Sequence, residues 1–319
     1  MIRPALLALT LAPAGMAGAF DLALPVDCTL GETCHVQNYF DRDSGPGAQD
    51  VGCGSLTYDG HDGTDIALPT RAAMTTGVNV LAAASGTVRG VRDGMPDIPR
   101  DDPAAPPLAG RDCGNGVAID HGDGWETQYC HMLQGSLAVK PGERVETGTV
   151  LGRIGLSGNT VFPHLHLTLR KDGIALDPFA PDAAARCGAG PAQDLWTGAL
   201  AYDGFGFLDA GLAEAIPEYD AIQAGLPPRA DIPADAPALV VWAYFFGARI
   251  GDVLTLSITG PGGEVIRQDV PLDRTQAQAF RATGRKAHGP WPKGAYRGEA
   301  VLIRDGAEVG RTTVFATVD

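Results

Sequence analysis

Pro163-His164-Leu165-His166-Leu167-Thr168-Leu169-Arg170 alternates apolar and polar side chains with a period of two. Residues i and i+2 of a strand project to one face. The run therefore reads as a β-strand that sends Leu165, Leu167 and Leu169 into a core. His164 and His166 then stand side by side over a polar groove.

Working outward, Val78-Asn79-Val80-Leu81-Ala82-Ala83, Gly86-Thr87-Val88-Arg89-Gly90-Val91, Gly116-Val117-Ala118-Ile119-Asp120 and Trp125-Glu126-Thr127-Gln128-Tyr129 are short runs separated by glycine turns. Such runs suit an antiparallel sheet, and no amphipathic helix is expected among them. Between Arg92 and Asp112 the composition shifts to Asp, Pro and Ala, which predicts a long exposed loop. Further on, Pro141 to Gly152 places two glycine turns beside short β-branched runs and leads through Ser157-Gly158-Asn159-Thr160 into the double-histidine strand.

The 319 residues suffice for two domains. The expected division is a leader over 1–19, an N-terminal disulfide-rich segment over 20–55, the histidine-bearing domain over 56–180, a linker region over 181–236 and a β-sandwich over 237–319. A short helix is expected at Leu208 to Ile216. Strands are expected at Ala238 to Phe246, Val253 to Thr259, Val265 to Val270, Gln276 to Ala282, Ala295 to Arg304 and Val309 to Val318. Their spacing fits a small immunoglobulin-like sandwich, with Trp242, Tyr244, Phe245 and Phe246 in a core strand. The fold class expected is mainly β.

Residues 1–19 carry one basic residue, Arg3, an apolar run from Ala5 to Leu11 and a final Ala17-Gly18-Ala19, the pattern of a secretory signal peptide. No other run is long and apolar enough to span a bilayer, so an exported chain, periplasmic or extracellular, is expected. Cys28, Cys34, Cys53, Cys113, Cys130 and Cys187 form an even set suited to three disulfides in an oxidising space. Cys113 and Cys130 flank an apparent hairpin and are the favoured bridge. Cys28 with Cys34 is a local option that leaves Cys53 and Cys187. The formal net charge of -14 argues against a nucleic-acid partner, which requires a basic footprint.

Five side chains carry chemistry: His61 and Asp65 in His-Asp-Gly-Thr-Asp, then His131, His164 and His166. Two imidazoles and a carboxylate make a three-ligand zinc site with one position open, and two histidines remain to move protons. Tyr58, three residues before His61, is positioned either to donate to an oxyanion or to pack. His35, His121 and His288 are read as structural or exposed.

His61-x-x-x-Asp65, Tyr129-Cys130-His131 and His164-Leu165-His166 together resemble the lysostaphin-type zinc endopeptidases of bacterial cell walls. The resemblance spans roughly Tyr58 to Phe179 and includes the Val139-Lys140-Pro141-Gly142 turn and Gly155-Leu156-Ser157-Gly158. It implies an antiparallel β catalytic domain with zinc held by His61, Asp65 and His166, and His131 and His164 as catalytic histidines outside the metal's ligand set. It implies peptidoglycan peptides as substrate. Two features depart from the family pattern: Asn159-Thr160-Val161-Phe162-Pro163 replaces its usual approach to the double histidine, and the N-terminal segment and the 92–112 loop lie outside its common core. Similar enzymes can be latent when an upstream asparagine fills the fourth zinc position, which makes Asn38 a candidate for that role. Alternative readings are a non-catalytic regulator of wall hydrolases and a secreted peptidase directed at proteins.

Overall fold

A computed structural model describes residues 20–182, 194–198, 200–225 and 231–319. The expected leader 1–19 and Cys187 lie outside the described residues. The strands are β1 (His35–Asn38), β2 (Thr64–Ala67), β3 (Asn79–Leu81), β4 (Gly86–Arg92), β5 (Asn115–Gly122), β6 (Trp125–Met132), β7 (Arg144–Val145), β8 (Val150–Arg153), β9 (His164–Lys171) and β10 (Ile174–Leu176). They continue with β11 (Gly206–Ala213), β12 (Asp231–Ile232), β13 (Ala238–Ala248), β14 (Val253–Gly260), β15 (Gly263–Pro271), β16 (Gln276–Lys286), β17 (Gly294–Arg304) and β18 (Ala307–Val318). Among the described residues two helices, α1 (Arg71–Thr76) and α2 (Tyr219–Ala224), interrupt them. The chain is mainly antiparallel β, as its alternating runs require.

The principal sheet runs β1-β2-β9-β6-β5-β4-β7, with β10 added to β9. At its centre Leu165, Leu167 and Leu169 of β9 are fully buried with Ile66, Ile119 and Tyr129. The opposite face of β9 carries the histidines. No strand occurs between Arg92 and Asn115, so the 92–112 stretch is the loop its composition predicts. Its wall is fixed by Asp97, whose carboxylate accepts the backbone N–H groups of Leu156 at 2.7 Å and Gln134 at 2.9 Å.

Helix α1 precedes the runs from Val78 onward, among which no helix occurs. It is six residues long and buries none of them, so it leaves no apolar periodicity. Its only sequence signals are its ends: Thr70 Oγ1 accepts the Ala73 N–H, and Gly77 closes the helix at a φ of 93°.

Beyond the principal sheet, a three-stranded sheet β11-β13-β16 faces a five-stranded sheet β12-β18-β17-β14-β15 across one core. Trp242, Tyr244, Phe245 and Phe246 are all buried in β13. The helix expected at Leu208 to Ile216 is instead strand β11, which lies within the stretch expected as linker and pairs with β13. The i, i+4, i+8 spacing of Leu208, Leu212 and Ile216 mimics a helix. Tertiary pairing overrides it, because a Cβ at Gly211 would lie 2.7 Å from the Trp242 ring, so glycine lets the two strands close.

The expected Cys113–Cys130 and Cys28–Cys34 disulfides are both present.

Candidate active site

Strand register assembles the five residues. Asp65 of β2 pairs with His166 of β9, Ala67 with His164, and Cys130 of β6 with His166. His61 stands in the turn before β2, its N–H donating to the Tyr58 carbonyl at 3.0 Å. Gly63 is required there, since a Cβ would fall 2.6 Å from His166 Nε2. His131 is set off the ladder at a φ of 61° beside an irregularity in the β5–β6 pairing. A non-glycine residue holds that conformation only when its surroundings over-determine it. Here the His131 N–H donates to the Cys113 carbonyl at 2.8 Å, and its carbonyl accepts the Gly155 N–H at 3.0 Å.

Three donor atoms converge. His61 Nε2 lies 3.1 Å and His166 Nδ1 2.8 Å from Asp65 Oδ1, and the two nitrogens are 3.2 Å apart. Around a tetrahedral zinc with bonds of about 2.0–2.1 Å, ligand atoms stand roughly 3.3 Å from one another. The His-Asp-His set therefore has the spacing and chemistry to hold a metal ion, and among the described residues it is the one such group. Its electrostatics favour a cation. Burial opposes a charge on His166, but Asp62 and Asp65 outweigh it and push the ring up to about 9. Burial works against the Asp65 carboxylate too, yet His164 and His61 hold it well below the usual range.

The remaining ring nitrogens fix the tautomers. His61 Nδ1 donates to the Tyr39 carbonyl at 2.7 Å, which leaves Nε2 as a lone pair. His166 Nε2 faces Thr168 Oγ1 at 3.0 Å and Asp62 Oδ1 at 3.4 Å, which leaves Nδ1. Such outer partners orient metal-binding imidazoles.

His131 and His164 stand beside the trio, their rings 4.6 Å apart. His131 Nδ1 donates to the Ser157 carbonyl at 2.8 Å, and His164 Nδ1 to the Phe162 carbonyl at 3.0 Å. Each ring keeps Nε2 free of a backbone partner, and that of His164 lies 3.4 Å from Asp65 Oδ1. Burial, with His164 and His166 nearby, pushes the His131 ring well below its ordinary value, so it is neutral.

An open groove of about 210 Å³ passes over the site. It is lined by Tyr58, Asp112, Gln128, His131, His166 and Arg170 among others. Tyr58 is 54% exposed with its ring 4.6 Å from that of His61, so it forms the groove lip rather than core packing. His35 is buried, His121 bonds Ser85 and Thr127, and His288 is exposed, all apart from the trio. Asn38 is at the site, with its amide nitrogen donating to Asp65 Oδ2 at 2.8 Å. Thr168 and Asp62 escape a reading of the sequence by motif. The period-two signal that pairs His164 with His166 also puts Thr168 on their face and could have found it.

With that geometry in place, residues 59–178 match the model of peptidase family M23. The chain thus carries an M23 peptidase domain, in agreement with the lysostaphin-type resemblance of its motifs. It is similar to the peptidoglycan DD-endopeptidase ShyA of Vibrio cholerae, 37% identical over 112 residues that make up 34% of this chain and 20% of that protein. It is also similar to the cell division protein DipM of Caulobacter vibrioides, 30% identical over 34% of this chain and 14% of the relative. The chain therefore spans a fifth or less of the length of these relatives. Among solved structures, the catalytic domain of the prophage-encoded M23 protein EnpA from Enterococcus faecalis is 24% identical, with a TM-score of 0.33 over 50% of this chain and 96% of that one. The catalytic domain of lysostaphin from Staphylococcus simulans is 23% identical, with a TM-score of 0.28 over 44% and 89%.

Proposed function

We propose that the protein is an exported zinc-dependent endopeptidase that hydrolyses peptide bonds in the cross-links or stem peptides of peptidoglycan. The observation that carries this reading is the convergence of His61 Nε2, Asp65 Oδ1 and His166 Nδ1 within 3.2 Å of one another, with two further imidazoles alongside. The ShyA-like sequence of the same domain supports the substrate class. Export is supported by the apolar run after Arg3 and by the disulfides. No helix among the described residues is long and apolar enough to cross a membrane.

His61, Asp65 and His166 would hold zinc, which when bound would supply Lewis-acid activation of water and of the scissile carbonyl. A peptide lies along the groove between Tyr58 and Asp112. His131, kept neutral with Nδ1–H anchored on Ser157, presents Nε2 as a proton acceptor. His164, anchored on Phe162, stands with its ring 4.6 Å from that of His131, and either ring can return the proton to the leaving amine or donate to the developing oxyanion. Tyr58 at the lip contributes a further hydroxyl donor.

We also propose an immunoglobulin-like topology for the C-terminal strands. The first, third and sixth of these strands, β11, β13 and β16, in one sheet, facing a sheet in which short β12 runs parallel to the last strand, support it.

Metal analysis of purified protein tests the site. The reading predicts about one zinc per chain, lost in His61→Ala and His166→Ala together with cleavage of wall peptides. Wild-type cleavage rates in those variants would sink it.

A further inference from the structure

The family match begins at residue 59, yet two of the three metal donors are oriented by residues upstream of it. In the ladder Asn38 of β1 stands opposite Asp65, after an irregularity between Val36 and Asn38 that re-aims the strand. The Asn38 amide holds Asp65 Oδ2 at 2.8 Å while Oδ1 faces the two histidines. The next residue, Tyr39, holds His61 through its carbonyl at 2.7 Å. Asp41 closes the same turn: its N–H donates to the His61 carbonyl and its Oδ2 accepts the Gly60 N–H, both at 2.9 Å.

The other side of this segment is gripped by the C-terminal sandwich. Gln37 Nε2 donates to the Ala277 carbonyl at 3.0 Å, and Gln278 Nε2 donates to Gln37 Oε1 at 2.9 Å. The His35 ring stacks on Phe246 at 4.5 Å, and the Asp203 N–H donates to the Tyr39 hydroxyl at 3.0 Å. All four residues of β1 are buried.

Resting on the zinc reading above, we infer that β1 and Tyr39 are a positioning element of the metal centre, and that the C-terminal sandwich serves the site by clamping this strand. Asn38 and the Tyr39 carbonyl are positioning groups rather than ligands. An amide nitrogen has no lone pair for a metal, and beside a carboxylate oxygen the amide must present its N–H. Asn38 therefore acts on the site through the N–H it gives the Asp65 carboxylate. This is the opposite of latency, because removing a blocking group raises activity and removing a positioning group lowers it.

The test uses the full mature chain with Asn38→Ala, Asn38→Asp and Gln278→Ala. It reads zinc affinity by chelator competition, kcat and KM at saturating zinc, and thermal unfolding. Asn38→Ala is expected to weaken zinc binding about 10- to 100-fold, as loss of a metal site's outer partner does, and to lower kcat with KM little changed. Asn38→Asp sets carboxylate against carboxylate and is expected to lose more. Gln278→Ala, which touches no donor, is expected to fold and to weaken zinc binding by about threefold, less than loss of a direct outer partner does. Wild-type zinc affinity in Asn38→Ala, or faster turnover, overturns the inference, and an unchanged Gln278→Ala overturns the clamp. If Asn38→Ala fails to fold, Gln278→Ala still decides. Wild-type protein that binds no zinc refutes the zinc reading itself, a separate outcome.

Discussion

His131 and His164 each use Nδ1 to hold a backbone carbonyl, so the proton transfer proposed for them rests on Nε2 alone. Replacing either with alanine leaves the His-Asp-His trio intact. The expected outcome is retention of zinc by elemental analysis with kcat lower by about 10²- to 10⁴-fold, the range for a general acid or base. Gly63 belongs to the same scale. An alanine there drives a methyl to 2.6 Å from His166 Nε2. Gly63→Ala is therefore predicted to lose metal affinity in equilibrium dialysis while far-ultraviolet circular dichroism stays native. The five chemical residues are legible in the sequence because each belongs to a short motif with fixed spacing. Their outer partners are not, because the Tyr39 and Ser157 contacts are made by backbone carbonyls, which any residue type supplies.

Strand β6 reaches the site by breaking its own ladder at His131, and the Cys113–Cys130 disulfide spans that break. Replacing both cysteines with alanine opens a loop of 17 residues and is expected to cost about 3 kcal/mol in denaturant unfolding. Strand β1 carries a pH dependence. Burial lowers the His35 ring from its ordinary value of 6.5 to about 4, against the hydrogen bond to Gln37 and with a small further push from His164. Between those values the unfolded chain binds a proton that the folded chain refuses. Stability contributed by the neutral ring is therefore full above about pH 6.5 and is lost as the pH falls toward 4, on the order of 3 kcal/mol in all. Melting temperatures of His35→Phe are expected to fall less steeply across that window than those of the wild type, and parallel slopes would assign the dependence elsewhere. At this scale β9 was legible from its strict alternation. Strand β11 was not, because the Phe246 and Trp242 rings that accept Gly206 and Gly211 come from β13, roughly 30 to 40 residues downstream.

Over the whole molecule, two sheet systems meet at β1, which is an edge strand of the principal sheet and a docking strand for the sandwich. Phe246 of β13 belongs to the same core cluster as Val36 and Tyr39. A chain ended after Pro237 would strip β11 of its partner and expose that core. It is predicted to melt at lower temperature and to bind zinc more weakly than the full chain, measured by calorimetry and chelator competition. The alternating runs, the charge and the motif spacing foretold a mainly β, acidic protein with its chemistry between His61 and His166. The mutual dependence of the halves was invisible in the sequence, since Gln37 and Gln278 are two unremarkable polar residues until the fold sets them 2.9 Å apart.

The central claim is that the five-residue site cleaves wall peptides through a bound zinc ion. The most direct measurement is mass analysis of fragments released from purified peptidoglycan by the mature protein, with and without a chelator and after zinc is restored. The account predicts newly freed peptide amines and carboxyls, abolished by the chelator and recovered with zinc. Intact peptide bonds under all three conditions, or cleavage indifferent to the chelator, would contradict it.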